Sequence, residues 1–172
     1  MSKAAIYYNH NFYYDFSQIL SADDRGIQFG DGAYEWIRVY QGHPFALSYH
    51  VDRLYRSMRL LGIRPVTAPD EFTEIVEVVI EESEIKEGYV KIIVTRGTGD
   101  HNFTIPARNE LKPNVLIYAK PINLESIEKV QSGVTCITME DDRGHHSDTV
   151  SYTHLTLPTN SKMCRSRWSP YH

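Results

Sequence analysis

Cysteine is scarce. Cys136 and Cys164 are the two in 172 residues, and they form neither a disulfide framework nor a C-x-x-C metal pair. A reducing, cytoplasmic setting is the expectation. No apolar run approaches the roughly 20 residues that a membrane-spanning helix requires, so a bilayer span is not expected. The opening residues, Met1-Ser2-Lys3-Ala4-Ala5-Ile6, carry a charge but lack the apolar core of a secretory signal. Basic charge is also in deficit. Residues 1–149 hold 15 basic and 22 acidic side chains, a net of −7, against −4 for the whole chain. That acidic body argues against a nucleic-acid partner, because phosphate neutralisation demands a basic surface.

Motifs of several enzyme classes are missing too. Gly30-Asp31-Gly32 lacks the Gly-x-x-x-x-Gly-Lys pattern of a phosphate-cradling loop and reads as a tight turn. His145-His146 lies close to Asp141 and Asp142, but adjacent histidines on a strand point to opposite faces. No metal site is expected there. No Ser-His-Asp or Cys-His arrangement declares itself by spacing. There is no internal repeat and no low-complexity linker within residues 1–148.

What remains is a chain of 41% hydrophobic residues, enough for one domain-sized core. Ala4–Tyr8 and Asn11–Tyr14 flank Asn9-His10 as a hairpin. Asp23-Asp24-Arg25-Gly26 reads as a polar break. Ala33–Tyr40 and His43–Leu47 flank Gln41-Gly42 as a second hairpin. The period then changes. Val51, Leu54, Tyr55, Met58 and Leu61 fall on one face of a helix that ends before Gly62. Phe72, Ile75, Val76, Val79 and Ile80 repeat the pattern in a second helix, opened by Pro69 with Asp70 and Glu71 in its first turn. Tyr89–Val94, Val115–Ala119 and Val134–Met139 read as three further strands. Hairpins and helices are segregated rather than alternating, which predicts an α+β fold: an antiparallel sheet with two helices.

One long, gap-free motif organises the chain. Asp24-Arg25-Gly26, Gln28-Phe29-Gly30-Asp31-Gly32 and Tyr34-Glu35 are followed by Pro44-Phe45-Ala46-Leu47 and by His50-Val51-Asp52-Arg53-Leu54. This run resembles the N-terminal signature of class IV pyridoxal-phosphate (PLP) aminotransferases, and within them the D-amino-acid branch. The likeness extends from about Ile6 to Asp148. It implies a small N-terminal domain over 1–121, the start of a large PLP-binding domain over 122–148, and a missing C-terminal domain. It also implies a homodimer when full length.

Carried over position by position, the resemblance makes Arg53 the arginine that holds the PLP phosphate. A guanidinium fork offers paired, permanently charged donors to a dianion. Read without the motif, Arg53 lies off the apolar stripe of its helix and would form a surface ion pair. Tyr34 matches a tyrosine whose hydroxyl reaches the substrate carboxylate, and His101 matches a histidine near the same group. The D-amino-acid branch usually has an arginine two residues before that histidine. Here Gly99 takes its place, followed by the anion Asp100, with Arg96 or Arg108 as candidate substitutes. That gap keeps branched-chain aminotransferases and aminodeoxychorismate lyases as alternatives.

The reactive lysine is the larger departure. The family follows Glu140-Asp141-Asp142-Arg143 and Asp148 with a lysine that bonds the cofactor, and here that position reads Val150. Valine has no amine, so no catalytic residue is assigned and the chain as written is expected to be inactive, a non-catalytic fragment. Val150–Thr159, read back into codons, resembles the transposon end and adapter used to prepare sequencing libraries. Residues 149–172, which hold Lys162, Arg165 and Arg167 but no acid, are therefore expected to be a non-native tail.

Overall fold

The computed structural model describes residues 5–17, 19–99, 103–107, 110–123 and 133. The chain divides into two compact units, Met1–Glu128 and Lys129–His172, and the architecture that follows is that of the first. Among the described residues six strands and three helices run in the order β1 (Ile6–Tyr8), β2 (Asn11–Tyr13), α1 (Arg25–Phe29), β3 (Gly32–Tyr40), β4 (His43–Pro44), α2 (Leu47–Leu61), α3 (Pro69–Glu82), β5 (Gly88–Thr95) and β6 (Asn114–Pro121). The strands form one antiparallel sheet in the order β2-β1-β6-β5-β3-β4. The α+β antiparallel-sheet architecture read from the sequence is the one observed.

Local chemistry explains the turns. Asn9 and His10 link β1 to β2 with φ of 47° and 71°. Gln41 and Gly42 link β3 to β4 with φ of 50° and 83°. Two consecutive positive-φ residues are what a type I′ hairpin turn requires, and its twist matches that of the strands it joins. Helix α3 begins at Pro69, whose missing N–H would be an orphan donor there anyway.

Strand alternation then sorts the side chains. Ile37 and Val39 of β3, Val90, Ile92 and Val94 of β5, and Val115, Ile117 and Ala119 of β6 meet the helices on one face of the sheet. Val51, Leu54 and Met58 of α2 and Phe72, Val76, Val79 and Ile80 of α3 complete that core. Each buried Val, Leu, Ile, Met or Phe side chain among them is worth about 1.5–3 kcal/mol. On the opposite face Ile6, Ile19 and Leu116 form a smaller cluster, where Phe16 packs edge-on against Tyr118. Tyr34, Trp36 and Tyr40 of β3 belong to this second face by alternation and remain exposed.

Two sequence expectations are corrected. Asp23-Asp24-Arg25-Gly26 is not a simple break. Asp24 caps α1, and its carboxylate accepts the Gly26 N–H. A five-residue helix spans little more than one turn, too short for an apolar repeat to show. Strand β4 stops at Pro44, and Leu47 opens α2 rather than closing the hairpin. The strand expected at Val134–Met139 lies outside the described residues. No helix among the described residues is long and apolar enough to cross a membrane.

Candidate active site

Strand β3 and helix α2 build the centre of the site. Alternation along β3 puts Glu35 on the helix-covered face with Ile37 and Val39, where its neighbours are apolar. Its side chain is 2% exposed. An ionised carboxylate so buried costs several kcal/mol unless it is paired. Helix α2 supplies the partners. His50 and Arg53 stand three residues apart, which sets them side by side over Glu35. Arg53 Nε donates to Oε1 at 2.7 Å and Arg53 NH2 to Oε2 at 2.5 Å. His50 Nδ1 meets Oε2 at 2.7 Å. Because an ionised carboxylate only accepts, the imidazole proton belongs on Nδ1.

The electrostatics follow from those contacts. Burial by itself would raise the Glu35 carboxyl, but the hydrogen bonds from Arg53 and His50 overcome it and hold the group below its usual range. Arg53 is driven the other way, to an even more permanent charge, by the same carboxylate. The Arg53 side chain is nonetheless 56% exposed. Its Nε–NH2 edge grips Glu35, which leaves the NH1–NH2 edge as a second fork directed away from that carboxylate. Arg53 does form an ion pair, but a strand carboxylate from the protein interior is its partner, not a neighbour on the helix surface.

Tyr34 is the residue before Glu35 and therefore projects from the other face of β3. The residue is 47% exposed, and its ring centroid lies 5.4 Å from the Lys91 ammonium. Trp36 stacks on Tyr89 farther along the same face, with ring centroids 5.0 Å apart. Tyr34 and Arg53 thus flank one strand from opposite sides. Strand β4 pairs β3 only at Val39 and Tyr40, so among the described residues no strand covers β3 beside Tyr34 and Glu35 on the side away from β5.

Asp24 and Asp31 of the long motif tie the scaffold together. Both Asp24 oxygens are occupied. Gly26 N–H donates to Oδ1 at 2.6 Å, and Thr95 Oγ1 and Asn114 Nδ2 donate to Oδ2 at 2.8 and 2.6 Å. Asn114 in turn accepts from Asn9, whose Oδ1 takes the Val115 N–H. Asp31 receives Arg25 Nε at 3.1 Å and Arg96 Nε at 2.6 Å. Arg96 is buried and bonds the Leu61 and Gly62 carbonyls as well. Its expected service as a substitute carboxylate ligand is therefore corrected: the guanidinium is committed to the end of α2.

A small cavity of about 230 Å³ opens beside Gly99, lined by Arg25, Thr104, Ile105, Pro106, Glu110 and Leu111. A side chain at position 99 would start 2.7 Å from Leu111 Cδ1. Leu111 thus takes up the space into which an arginine at that position would grow. His101, Arg108 and Val150 lie outside the described residues, as do Asp141, Asp142, His145 and His146. Among the described residues no group of three or more His, Cys, Asp or Glu is placed to hold a metal ion.

Glu35 and His50 stood in the motif without an assigned task. Two signals could have found them. A carboxylate whose second and fourth successors are Ile37 and Val39 is destined for the core face of a strand, and a cation must follow it there. The His50–Arg53 spacing then supplies two donors on one helix face.

Comparison with known proteins agrees with this architecture. Residues 32–169 match the family described as Amino-transferase class IV. The D-alanine aminotransferase of Staphylococcus aureus (strain MSSA476) is 32% identical over 138 residues, covering 80% of this chain and 48% of that protein. Among solved structures, 4-amino-4-deoxychorismate lyase from Pseudomonas aeruginosa superposes with a TM-score of 0.58 at 28% identity, over 75% of this chain and 44% of that one. The branched-chain amino acid aminotransferase from Escherichia coli gives a TM-score of 0.62 at 20% identity, over 70% and 41%. The chain spans about half the length of the curated relative. With most of its length matched by that family, the chain belongs to the class IV aminotransferases.

Proposed function

We propose that the parent protein moves an amino group from an amino acid, a D-amino acid by preference, to a 2-oxo acid with PLP as its cofactor. The observation that carries this is the NH1–NH2 edge of Arg53, turned away from Glu35 on a side chain that is 56% exposed, permanently charged and held from behind by that carboxylate. A dianionic phosphate fits that fork because two parallel N–H donors match two of its oxygens. The 32% identity to a D-alanine aminotransferase supports the D-amino-acid preference.

In this reading Arg53 binds the cofactor phosphate and so fixes the position of the reacting ring. Tyr34, on the other side of β3, donates its hydroxyl to the substrate carboxylate, and His101 serves the same group. Bound PLP supplies a carbonyl for the amino group and an electron sink that loosens the α-proton. Movement of that proton needs an amine, and the family position for it reads Val150. The chain as written accordingly binds without turning over. A homodimer is proposed for the parent.

A second reading keeps the fold and changes the substrate. Gly99, backed by Leu111, offers no side-chain cation where the D-amino-acid branch has one. The 28% identity to 4-amino-4-deoxychorismate lyase supports that lyase chemistry, and a branched-chain aminotransferase shares the fold.

The test is a substrate panel on the parent protein, supplied with PLP and 2-oxoglutarate. D-glutamate formed from D-alanine supports the first reading. Turnover of L-leucine alone, or pyruvate release from aminodeoxychorismate, replaces it with the second. Silence on all three removes both. Sequencing the source DNA across codon 148 complements the panel. A frame continuing into Asp-Ile-Lys makes residues 149–172 foreign, whereas a genomic Val150 makes the lysine-less chain real. The family match to residue 169 runs through that segment, which makes the second outcome a substantive alternative.

A further inference from the structure

We infer that Glu35 is the positioning residue of the phosphate grip, with His50 as its anchor: Glu35 selects which edge of Arg53 faces the cofactor. The inference rests on the reading of Arg53 given above and adds what makes that side chain specific.

An arginine on the exposed first turns of a helix samples many rotamers, and ordering it costs side-chain entropy. Glu35 settles that cost before any ligand arrives. It occupies both donors of one edge, Nε at 2.7 Å and NH2 at 2.5 Å, in a bidentate pair. The edge left over, NH1 with the second hydrogen of NH2, is itself a fork of the same geometry. A phosphate therefore meets a preformed pair of donors.

The carboxylate is fixed in turn. It projects from a strand paired along its length with β5, where Glu35 stands opposite Ile92. His50 Nδ1 donates to Oε2 at 2.7 Å, so the oxygen that Arg53 NH2 uses is held from a second direction. The order of support runs from strand to carboxylate to guanidinium to phosphate. Outer partners that orient metal ligands change metal affinity by about 10- to 100-fold when removed, and a loss of that order is expected where a carboxylate orients a phosphate-binding guanidinium.

A rival account uses the same contacts and predicts the opposite sign. If Glu35 competed with phosphate for Arg53, its removal would release the guanidinium and tighten binding. If the trio were a fold-stabilising ion pair alone, removal would lower stability and leave ligand preference untouched.

The experiment compares pyridoxamine 5'-phosphate with pyridoxamine on the 172-residue chain. Neither probe has an aldehyde, so surface lysines cannot trap it, and the ratio of their dissociation constants isolates the phosphate. Glu35→Gln keeps shape and removes charge, His50→Gln removes the anchor, and Arg53→Gln removes the fork. Thermal unfolding without ligand reports fold integrity for each. The expected result is a parent chain that strongly prefers the phosphorylated probe. Arg53→Gln abolishes the preference, Glu35→Gln reduces it by about 10-fold or more, and His50→Gln reduces it by a smaller factor. An unchanged or larger preference in Glu35→Gln overturns the positioning role while leaving Arg53 as the phosphate residue. A parent chain with no preference, or with no binding of either probe, overturns the phosphate reading itself and this inference with it. Should Glu35→Gln fail to fold, Glu35→Asp decides by the same ratio. It keeps the charge but withdraws it by one methylene, so an undiminished preference counts against positioning.

Discussion

Asp31 accepts from Arg96 on both of its oxygens, Nε to Oδ2 at 2.6 Å and NH2 to Oδ1 at 3.0 Å. Arg96 directs further donors to the Leu61 and Gly62 carbonyls, at 2.7 and 3.2 Å. One guanidinium thus fastens the end of β5 to the C-terminal end of α2, where backbone carbonyls lack helical partners and positive charge is favoured. Both side chains are largely withdrawn from water.

Removal of one partner from this pair should be severe. Arg96→Met leaves Asp31 to its ion pair with Arg25 and leaves two helix-end carbonyls without the guanidinium donor. The expected loss is about 3–5 kcal/mol, read as a lower urea midpoint. Arg96→Lys keeps the charge but cannot fill the fork and the two carbonyls together, so most of the loss should remain. A lysine variant as stable as the parent would reduce this contact to a simple charge effect.

Asp24 offers a second test, because its network joins α1, β5, β6 and the first hairpin. Asp24→Asn places an amide opposite the Asn114 amide, and about 1–3 kcal/mol of stability should go with the lost acceptor. Asn114→Asp should cost at least as much, since two carboxylates then face each other. The double exchange restores one donor facing one acceptor, and its cost should fall below the sum of the two. Strictly additive free energies from denaturant unfolding would show that the two side chains do not act together.

Two glycines separate space from backbone strain. Gly30 closes α1 with φ of +66°, and a Cβ at that position would meet nothing within 4 Å among the described residues beyond its own chain neighbours and helix backbone. Gly30→Ala should therefore cost about 1–2 kcal/mol from the left-handed conformation alone. Gly97 has φ of +109°, and a Cβ there would stand 1.9 Å from the Lys112 carbonyl oxygen. Gly97→Ala must move backbone, and it should destabilise by clearly more than Gly30→Ala in a paired thermal-unfolding experiment. Equal shifts would mean that the 112–113 segment yields freely.

The fold was legible because its signals are periodic. Hydrophobic spacing marked α2 and α3, and Asn9-His10 and Gln41-Gly42 marked the turns of their hairpins, although β4 stops three residues short of its expected end at Leu47. Helix α1 escaped because five residues hold too little period, and because Asp24 reads equally as a loop residue and as a cap. The site was half legible. A resemblance could nominate Arg53 and Tyr34 one at a time, but alternation along β3 is what sends Tyr34 and Glu35 to opposite faces. The partnership of Glu35 with His50 and Arg53 spans 15 and 18 residues, a separation at which sequence spacing alone carries no contact information. Asp24, Arg25 and Asp31 were conspicuous in the motif, whereas Thr95, Asn114 and Arg96, the buried partners of the two aspartates, lie some 65 to 90 residues away.

The Glu35 contacts also fix a direction for acid sensitivity. Burial opposes ionisation, yet the Arg53 and His50 hydrogen bonds prevail and the folded carboxyl titrates below its ordinary value of 4.5. A group with a depressed folded pKa binds its proton more readily in the unfolded chain. Its contribution to stability is therefore complete above about pH 4.5 and disappears as pH falls through the folded value. Glu35→Gln removes that titration. The difference in unfolding free energy between parent and variant should thus be constant from neutral pH down to about 5, then shrink steadily on further acidification. Urea unfolding at a series of pH values measures it directly. A difference that stays flat through about pH 3 would mean that Glu35 keeps the same proton affinity folded and unfolded, and that its three hydrogen bonds do no more than offset its burial.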